Sequence, residues 1–283
     1  MGSSRVCKFA MERRIKVVNV IAKRPLGSTG IDVSVLGLGT VKFGRNEQVK
    51  YPQEFKIPDD EAVTQLLALA WDLGINFIDT APAYGTSEER LGKLLTQRHD
   101  WVIETKVGEI FENGQSSFDF SAEYTRKSVE NSLRKLRRDY LDVVLVHSSG
   151  DDMNIIHKTD ALAELDKLKQ KGLIKAFGMS SKTVEGGLWV VEHCDVVMAT
   201  CNLEYNEEQV VLDKAKELNK GVVVKKGLLS GYAGVAAGGH GIEKSFEHVL
   251  SKPAVSSMIV GTINAHHLRN NIEIVKQYGF VKD

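Results

Sequence analysis

Two patterns alternate along most of this 283-residue chain, and the alternation restricts its fold more than any other feature. One pattern is a short apolar run rich in β-branched residues, and the other is a longer stretch with helical spacing. Such alternation is typical of βα units that build a parallel sheet. From residue 35 onward, the apolar runs cover residues 35–39, 76–79, 101–106, 141–146, 174–179, 196–200, 221–224 and 256–260.

Helix-like stretches lie between these runs. The first opens at residue 58 with a proline followed by acidic residues, and the second opens at residue 87 with a serine followed by two glutamates. These residue types favour helix N-termini. The other stretches cover residues 121–138, 159–171, 183–193, 207–219, 241–250 and 264–278. Eight strands, each followed by a helix at about 30 residues per unit, predict a (β/α)8 TIM barrel.

An open, doubly wound sheet is the alternative architecture. It usually carries a Gly-x-Gly-x-x-Gly turn after its first strand, but here Gly37 and Gly39 are followed by Gly44, which is the wrong spacing. Residues 26–30 have the composition of a β-hairpin turn, and we expect an N-terminal hairpin to close the bottom of the barrel. No linker divides the chain. The sequence therefore predicts a basic, disordered N-terminal extension over residues 1–23 and one domain over residues 24–283.

Charge and cysteine content argue against several classes of protein. Lys and Arg number 37, as do Asp and Glu, so the neutral chain has no electrostatic reason to bind nucleic acid or an anionic membrane. No apolar run approaches the roughly 18 residues that a membrane helix needs. Three cysteines without paired spacing, and no Asn-x-Ser/Thr acceptor, predict a reducing compartment and a cytoplasmic protein.

Titratable side chains lie at the ends of three consecutive apolar runs, at the rim where barrel enzymes carry their active sites. Asp79 ends the second run, Lys106 ends the third, and His147 follows the fourth, while Tyr84 lies in the loop after Asp79. Taken singly, each has an ordinary structural interpretation: a helix cap, a solvated lysine, a buried histidine or a packing tyrosine. Their convergence on one rim favours a joint catalytic role.

This combination of residues suits proton transfer to a developing alkoxide. A tyrosine with its usual pKa of about 10 is a weak acid, and a lysine ammonium beside it lowers that pKa by favouring the phenolate. A buried Lys106 needs a counter-charge, which Asp79 can supply. The neutral imidazole of His147 can donate a hydrogen bond to a carbonyl oxygen and fix its orientation.

Several segments of the chain closely resemble the signature of the aldo-keto reductase superfamily. They are residues 74–85, 87–92, 104–108, 140–147 and 259–262, with His267, Leu268 and Asn271 downstream. The resemblance extends over about residues 24–280. It implies a (β/α)8 barrel that binds NADPH, or less often NADH, and reduces aldehydes and ketones.

The family's catalytic tetrad of Asp, Tyr, Lys and His matches Asp79, Tyr84, Lys106 and His147 without substitution. The resemblance implies that hydride passes from nicotinamide C4 to the carbonyl carbon and that Tyr84 donates the proton as general acid. Lys106 and Asp79 would tune Tyr84, and His147 would position the carbonyl.

The cofactor contacts that the resemblance implies depart from the family pattern. Ser180 and Ser181 align with a Ser-Asn pair, Asn202 with a glutamine, and Lys225 with a position that is often aromatic. Arg269 follows the last strand, but there is no clear charged clamp for a 2′-phosphate. The expectation of NADPH therefore rests on family frequency, and NADH is the alternative. The expected cofactor-binding residues are Gly39, Thr40, Asp79, Ser180, Ser181, Asn202, Lys225, Gly227, Leu229, Gly261, Thr262, Asn264, His267 and Asn271.

The substrate pocket for a small carbonyl compound is expected in the loops after the first four strands. Phe43, Tyr84 and His147 are predicted to contact the substrate, and Tyr51 and Phe111 are further candidates for the pocket wall. The segment 227–241 contains six glycines. It fits either a flexible connector or a loop that folds over the pyrophosphate.

Two other function classes fit parts of the sequence. An NADPH-binding, redox-sensing regulatory subunit could retain the barrel and the tetrad, and slow turnover would distinguish it. A metal-dependent barrel hydrolase needs clustered His and carboxylate ligands at several strand ends, whereas only His147 and Asp79 are available there. We therefore expect no metal site, and we expect a monomer or a weak homo-oligomer.

Overall fold

The computed structural model describes residues 20–51, 53–234 and 241–280. Residues 1–19 of the expected extension and residues 235–240 of the glycine-rich segment lie outside the described residues. Ile21 falls within the expected extension, yet it is buried in the hydrophobic core. The adjacent Ala22 donates its backbone N–H to the carbonyl of Phe280 at 3.0 Å, so the chain already packs on the barrel at this point.

The described chain contains short strands and helices in near-regular alternation. The strands are β1 (Lys23–Pro25), β2 (Asp32–Ser34), β3 (Leu36–Gly39), β4 (Phe77–Asp79), β5 (Val102–Val107), β6 (Glu109–Glu112), β7 (Gln115–Phe118), β8 (Leu141–His147), β9 (Ile174–Ser180), β10 (Val196–Thr200), β11 (Gly221–Lys225) and β12 (Ser257–Val260). The helices are α1 (Val41–Gly44), α2 (Asp60–Asp72), α3 (Ser87–Leu94), α4 (Ala122–Leu136), α5 (Asp152–Lys158), α6 (Ala161–Gln170), α7 (Val184–His193), α8 (Gln209–Glu217), α9 (Gly241–Leu250) and α10 (Ala265–Gln277).

Eight of the strands close into a barrel in the order β3-β4-β5-β8-β9-β10-β11-β12, with β12 returning to β3. Every neighbouring pair in this barrel is parallel. The closed parallel sheet, with helices between its strands, confirms the predicted (β/α)8 TIM barrel and excludes the open sheet. Within the described ranges, no helix is long and apolar enough to cross a membrane.

The barrel wall separates two hydrophobic cores. Because successive side chains of a strand point to opposite faces, β8 directs Val143 and Leu145 into the barrel and Val144 and Val146 toward the helices. The same alternation directs Phe77, Ala176 and Val223 inward. It therefore also fixes which side chains at the strand ends point into the mouth of the barrel.

The hairpin β1–β2 closes the N-terminal end of the barrel, as the sequence predicts. Its strands pair antiparallel, and Leu26 in the turn is fully buried within the interior core. Gly27 has a φ of +56°, and a Cβ at this position would lie 2.3 Å from the backbone nitrogen of Gly221. Only glycine permits so close an approach in this conformation.

Helix N-termini follow the signals in the sequence. Asp59 accepts a hydrogen bond from Ala62 N at 2.8 Å and caps α2. Ser121 caps α4, and Thr183 caps α7 through Gly186 N at 3.1 Å. Side-chain oxygens of this kind satisfy backbone donors that the first helical turn leaves free.

Three elements differ from the sequence-based expectation. Residues 109–118, which no apolar run or helix-like stretch of the sequence covers, form the antiparallel hairpin β6–β7, and α1 and α5 are additional short helices. The turn of the hairpin is Asn113-Gly114, both with positive φ, and this pair is a strong local hairpin signal. His147 is the last residue of β8 and does not follow the strand.

Candidate active site

The four side chains predicted to act together lie at the C-terminal rim of the barrel. Asp79 ends β4, Lys106 is the second-last residue of β5, and His147 ends β8. Each lies an even number of residues along its strand from a residue that faces the barrel interior: Phe77 in β4, Val102 in β5 and Leu145 in β8. Its side chain therefore points into the mouth. Tyr84 ends a short 3-10 helix, Pro82–Tyr84, immediately after β4.

Asp79 and Lys106 form a buried ion pair. Lys106 Nζ donates to Asp79 Oδ1 and, at 2.9 Å, to the carbonyl of Thr80. The side chains of Lys106 and Asp79 are 2% and 8% exposed. Burial by itself lowers the pKa of Lys106, but Asp79, Tyr84 and Glu104 together outweigh burial and raise that pKa above its usual range, with Asp79 contributing most. Lys106 therefore keeps a positive charge beneath the site.

Tyr84 is held over this pair by a tight backbone turn. Lys106 Nζ lies 5.2 Å from the centroid of the Tyr84 ring. Gly85, the next residue, has a φ of +62°, and a Cβ there would lie 2.1 Å from the carbonyl oxygen of Gly44. The close contact of Gly85 with α1 fixes the direction in which Tyr84 leaves the backbone.

The pKa of Tyr84 is shifted by opposing influences. Burial raises the pKa of Tyr84 most, the charge of Asp79 raises it further, and Lys106 lowers it. The influence of Lys106 thus has the sign expected from the sequence. Burial and Asp79 outweigh it, so the net shift is upward and Tyr84 remains a phenol at ordinary pH.

His147 lies beside Tyr84 and against an acidic residue. The two rings are nearly perpendicular, with centroids 6.3 Å apart. His147 Nδ1 lies 2.7 Å from Glu109 Oε2, an ion-pair distance, although the Nδ1–H is not aligned on that oxygen as a hydrogen bond. Burial lowers the pKa of His147, and Glu109 opposes this shift.

The contact with Glu109 changes what His147 can offer a substrate. Because Nδ1 lies 2.7 Å from a carboxylate oxygen, this contact favours the tautomer of the neutral ring with its proton on Nδ1. Nε2 of that neutral ring is then an acceptor. It donates a hydrogen bond to a carbonyl only when His147 carries a second proton. This differs from the expectation that the neutral ring is the donor.

Glu109 and Arg45 were not identified from the sequence. Arg45 Nη1 lies 3.4 Å from Glu109 Oε1 and donates to the carbonyl of Ala83 at 3.1 Å, one residue before Tyr84. Ser116 Oγ donates to Glu109 at 2.6 Å. Burial raises the pKa of Glu109, but His147, Ser116 and Arg45 together outweigh burial, so that pKa falls to about 2. Arg45 thus joins the hairpin β6–β7 to the turn that carries Tyr84.

Replacing Glu109 with glutamine is expected to lower the pKa of His147 further below its usual range. The carboxylate favours the charged imidazolium, and its removal leaves burial unopposed. An NMR titration of the His147 ring measures the shift, with Glu112→Gln in the exposed part of the same hairpin as the control. An unchanged pKa in Glu109→Gln would contradict the assigned contact.

Ser180 and Lys225 form the best-defined part of the expected cofactor set. Lys225 Nζ donates to Ser180 Oγ at 2.9 Å and to the carbonyl of Ser181 at 2.5 Å. Ser180 pairs in register with His147, so both lie at the same level of the rim. Burial lowers the pKa of Lys225 to about 7. A hydroxyl and an amine beside His147 are suitable partners for a carboxamide.

Ser181 points away from this cluster. It follows Ser180 directly, and a Cβ at Gly187 in α7 would lie 3.3 Å from its hydroxyl oxygen. The side chain therefore faces the helix layer, and its oxygen has no hydrogen-bond partner within the described part of the chain. The expected contact of Ser181 with the cofactor is not supported by this geometry.

Several other expected cofactor residues are engaged in local hydrogen bonds. Thr40 Oγ1 donates to the carbonyl of Asp79 at 2.9 Å, and Asn202 Nδ2 donates to the carbonyl of Lys226 at 3.3 Å. Asn264 caps α10, and its N–H donates to Thr262 Oγ1 at 3.1 Å. These contacts shape the rim and leave fewer free groups for a ligand.

The remaining expected residues surround the rim at different depths. Gly261 and His267 are exposed after β12, and Asn271 is buried farther along α10. Gly39 ends β3. After β11, Gly227 is buried and Leu229 adopts a positive φ of 52° at the start of a 3-10 turn. The structure thus brings together residues from β3, β11 and β12 around one mouth.

Phe43 does not line the site, contrary to the sequence-based expectation. Its side chain is fully buried in the core between the barrel and the helices, because α1 turns it inward. Tyr51 reaches the rim instead, where a Cβ at Gly261 would lie 3.1 Å from its hydroxyl oxygen. Burial and the charge of Asp79 raise the pKa of Tyr51 to about 12.

Phe43→Leu is therefore expected to act on stability and not on substrate binding. The change of shape in a packed core should lower the free energy of unfolding by about 1 kcal/mol. Chemical denaturation measures this loss, and steady-state kinetics should give an unchanged KM. A raised KM together with wild-type stability would show that Phe43 lines the substrate pocket.

Comparisons with known proteins agree with this geometry. The Aldo/keto reductase family matches residues 35–234. L-galactose dehydrogenase of Arabidopsis thaliana is 30% identical over 91% of this chain and 89% of its own length. The oxidoreductase YqkF of Bacillus subtilis is 28% identical over 89% of this chain and 90% of its own.

A solved structure is similar over nearly the whole described chain. PA4992 of Pseudomonas aeruginosa, assigned to the aldo-keto reductases, is 49% identical with a TM-score of 0.83, and the match covers 92% of this chain and 98% of that one. The family match, the relatives and the shared barrel agree with one another. The chain belongs to the aldo/keto reductase family.

Proposed function

We propose that this protein is an NAD(P)H-dependent oxidoreductase that interconverts aldehydes or ketones and their alcohols, with Tyr84 as the general acid. The observation that carries the proposal is the arrangement at the barrel mouth, where Tyr84 lies over the buried Asp79–Lys106 pair and beside His147. Hydride supplied by a bound nicotinamide would add to the carbonyl carbon. One proton must then reach the carbonyl oxygen.

Tyr84 is suited to provide that proton. Its raised pKa keeps it protonated at ordinary pH, which is the form that a general acid needs. As the O–H bond breaks, negative charge develops on the phenol oxygen. The fixed positive charge of Lys106 lies close enough to stabilise it, while Asp79 keeps that charge in place.

His147 orients the substrate oxygen in a manner that depends on its protonation. With two protons, Nε2 donates to a carbonyl oxygen in reduction. With one proton on Nδ1, Nε2 accepts from the hydroxyl of an alcohol in oxidation. Glu109 supports both forms because its negative charge faces Nδ1 in each.

For the cofactor, we propose NADPH, with NADH as the alternative. Ser180 and Lys225 are the groups that would hold the nicotinamide end. The residues after β12 offer amide, hydroxyl and imidazole groups, and Arg269 in α10 is the one charged side chain near them in the sequence. One relative, 33% identical over 56% of this chain, is named an NADH-specific methylglyoxal reductase of Escherichia coli, so both cofactors belong in the test.

The substrate is proposed to be a small molecule with a carbonyl or hydroxyl group. Besides L-galactose dehydrogenase, the relatives include D-arabinose 1-dehydrogenase of Saccharomyces cerevisiae, 34% identical over 54% of this chain. Aldoses therefore join simple aldehydes in the first substrate panel. From its composition, we also propose a cytoplasmic enzyme that works as a monomer or a weak homo-oligomer.

The test is turnover measured by the loss of absorbance at about 340 nm with NADPH and NADH separately, combined with direct measurement of cofactor binding. Sustained oxidation of one cofactor in the presence of an activated aldehyde or an aldose is the expected result. Tight cofactor binding with at most one slow turnover would contradict the proposal and favour a redox-sensing subunit.

A further inference from the structure

Glu104 is a buried carboxyl group inside the barrel to which the proposed mechanism gives no role. It lies in the middle of β5, two residues before Lys106, so both side chains point into the barrel. Its neighbour in register on β4 is Asp79, and on β8 it is Val143. Glu104 is 0% exposed and lies directly beneath the Asp79–Lys106 pair.

The surroundings of Glu104 do not compensate a negative charge. Both carboxyl oxygens are buried, and no N–H or O–H donor within the described ranges reaches either of them. Lys106 Nζ is occupied by Asp79 and the carbonyl of Thr80. An uncompensated buried carboxylate is very unfavourable, and such a group normally takes up a proton instead.

The groups that face Glu104 act on its protonation in opposite directions. They are Asp79 from β4, Lys106 from β5 and Lys225 from β11, while β8 presents the apolar Val143. Burial raises the pKa of Glu104 well above its usual range. Lys106 and Lys225 oppose this shift, but the charge of Asp79 and the contact between the two carboxyl groups add to the rise, and the net shift is upward.

We propose that Glu104 is a positioning residue, held as a neutral carboxylic acid that donates its proton in a hydrogen bond to Asp79. Two neighbouring carboxyl groups that share one proton are more stable than two adjacent carboxylates. The arrangement leaves one negative charge, on Asp79, to balance Lys106. The role toward Tyr84 rests on the function proposed above, whereas the protonation of Glu104 does not.

The shared proton has two consequences for the site. It orients the Asp79 carboxylate, leaving Oδ1 for Lys106. The negative charge of Asp79 raises the pKa of Tyr84 and makes it a weaker acid. The shared proton reduces this effect of Asp79. A second ionised carboxylate at Glu104 would instead attract Lys106 downward and away from the phenol.

Infrared spectroscopy of the folded protein without substrate tests the protonation directly. A protonated carboxylic acid has a C=O stretch that a carboxylate lacks, and Glu104→Gln is expected to remove that band at neutral pH. Glu88 is the matched control, because it is also buried with a raised pKa. Glu88→Gln should leave the Glu104 band in place. A carboxylic-acid C=O region that is unchanged between wild type and Glu104→Gln would show that Glu104 is ionised and would overturn the proposal.

Kinetics test the positioning role. Glutamine retains a neutral donor to Asp79, so Glu104→Gln is expected to keep kcat close to wild type. Leucine has no donor, and Glu104→Leu is expected to lower kcat by about 10- to 100-fold, the effect of losing a hydrogen bond to a charged group. The cofactor Kd should not change in either variant.

The outcomes separate this inference from the proposed function. An equal loss of kcat in both variants, or no loss in the leucine variant, would overturn the positioning role. If the wild type reduces no carbonyl but shows the Glu104 band, the proposed function fails and the neutral carboxylic acid stands. Thermal unfolding shows whether each variant is folded. If the leucine variant does not fold, the comparison of wild type with Glu104→Gln tests the proposal.

Discussion

Tyr84→Phe is expected to reduce carbonyl turnover by roughly 10²–10⁴-fold, the usual contribution of a general acid. The substitution removes only the phenolic oxygen and leaves the ring between Lys106 and His147. Cofactor affinity, measured by quenching of protein fluorescence, should therefore be unchanged. A loss in kcat with an intact cofactor Kd identifies an interaction made during the reaction and not in binding.

Tyr140→Phe is the matched control for this experiment. Tyr140 directly precedes β8 and so lies at the N-terminal end of the barrel, opposite the mouth. It contacts Lys175 through its ring, 4.1 Å from Nζ, and should give wild-type turnover when replaced. A Tyr84→Phe enzyme with full activity would show that another group donates the proton.

Lys106→Met is expected to lower both activity and stability. Removal of the ammonium leaves Asp79 buried without its partner, which costs about 3–5 kcal/mol for an ion pair of this kind. The same change removes the positive charge that stabilises ionised Tyr84, so turnover should fall together with the free energy of unfolding. Chemical denaturation and steady-state kinetics on the same preparation measure the two effects.

Two comparisons separate these effects. The double variant Asp79→Asn with Lys106→Met removes both charges, and it is expected to recover part of the lost stability without recovering turnover. Lys93→Met breaks the ion pair with Asp60, in which Lys93 is 61% exposed, and should cost less than about 1 kcal/mol. Normal carbonyl reduction by Lys106→Met would contradict the electrostatic role of this residue.

The barrel could be predicted from the sequence because its signal is repeated eight times. Each β-branched run and each helix start is a local pattern, and the sum of such patterns leaves few alternative folds. Asp79, Lys106 and His147 could be placed at one rim for the same reason, since parallel strands in a barrel end on the same side. Residue identity at strand ends therefore carried most of the information about the site.

Contacts between distant segments could not be predicted in this way. Arg45 and Glu109 come from a loop and a hairpin that meet only after the barrel has closed, and no spacing in the sequence relates them. Phe43 shows the converse error, because an aromatic residue in a loop near the site was assigned to the pocket. The short helix α1 turns it into the core.

Glu104 lies between these two cases. Its position two residues before Lys106 places it on the inner face of β5, and this could have been inferred from the sequence. What the sequence does not contain is the register of β4 against β5, which sets Asp79 beside Glu104. The pairing of neighbouring strands, and not the pattern of one strand, creates the paired carboxyl groups.

Transfer of deuterium from a reduced nicotinamide that carries deuterium at both C4 positions tests the central claim most directly. The protein is incubated with the labelled cofactor and an aldehyde that it reduces, and mass spectrometry locates the label in the alcohol. We predict that the deuterium appears on the former carbonyl carbon, at a rate that falls sharply in Tyr84→Phe. An unlabelled alcohol, or a bound cofactor that transfers no deuterium to any carbonyl tested, would contradict the assignment of this site to hydride transfer.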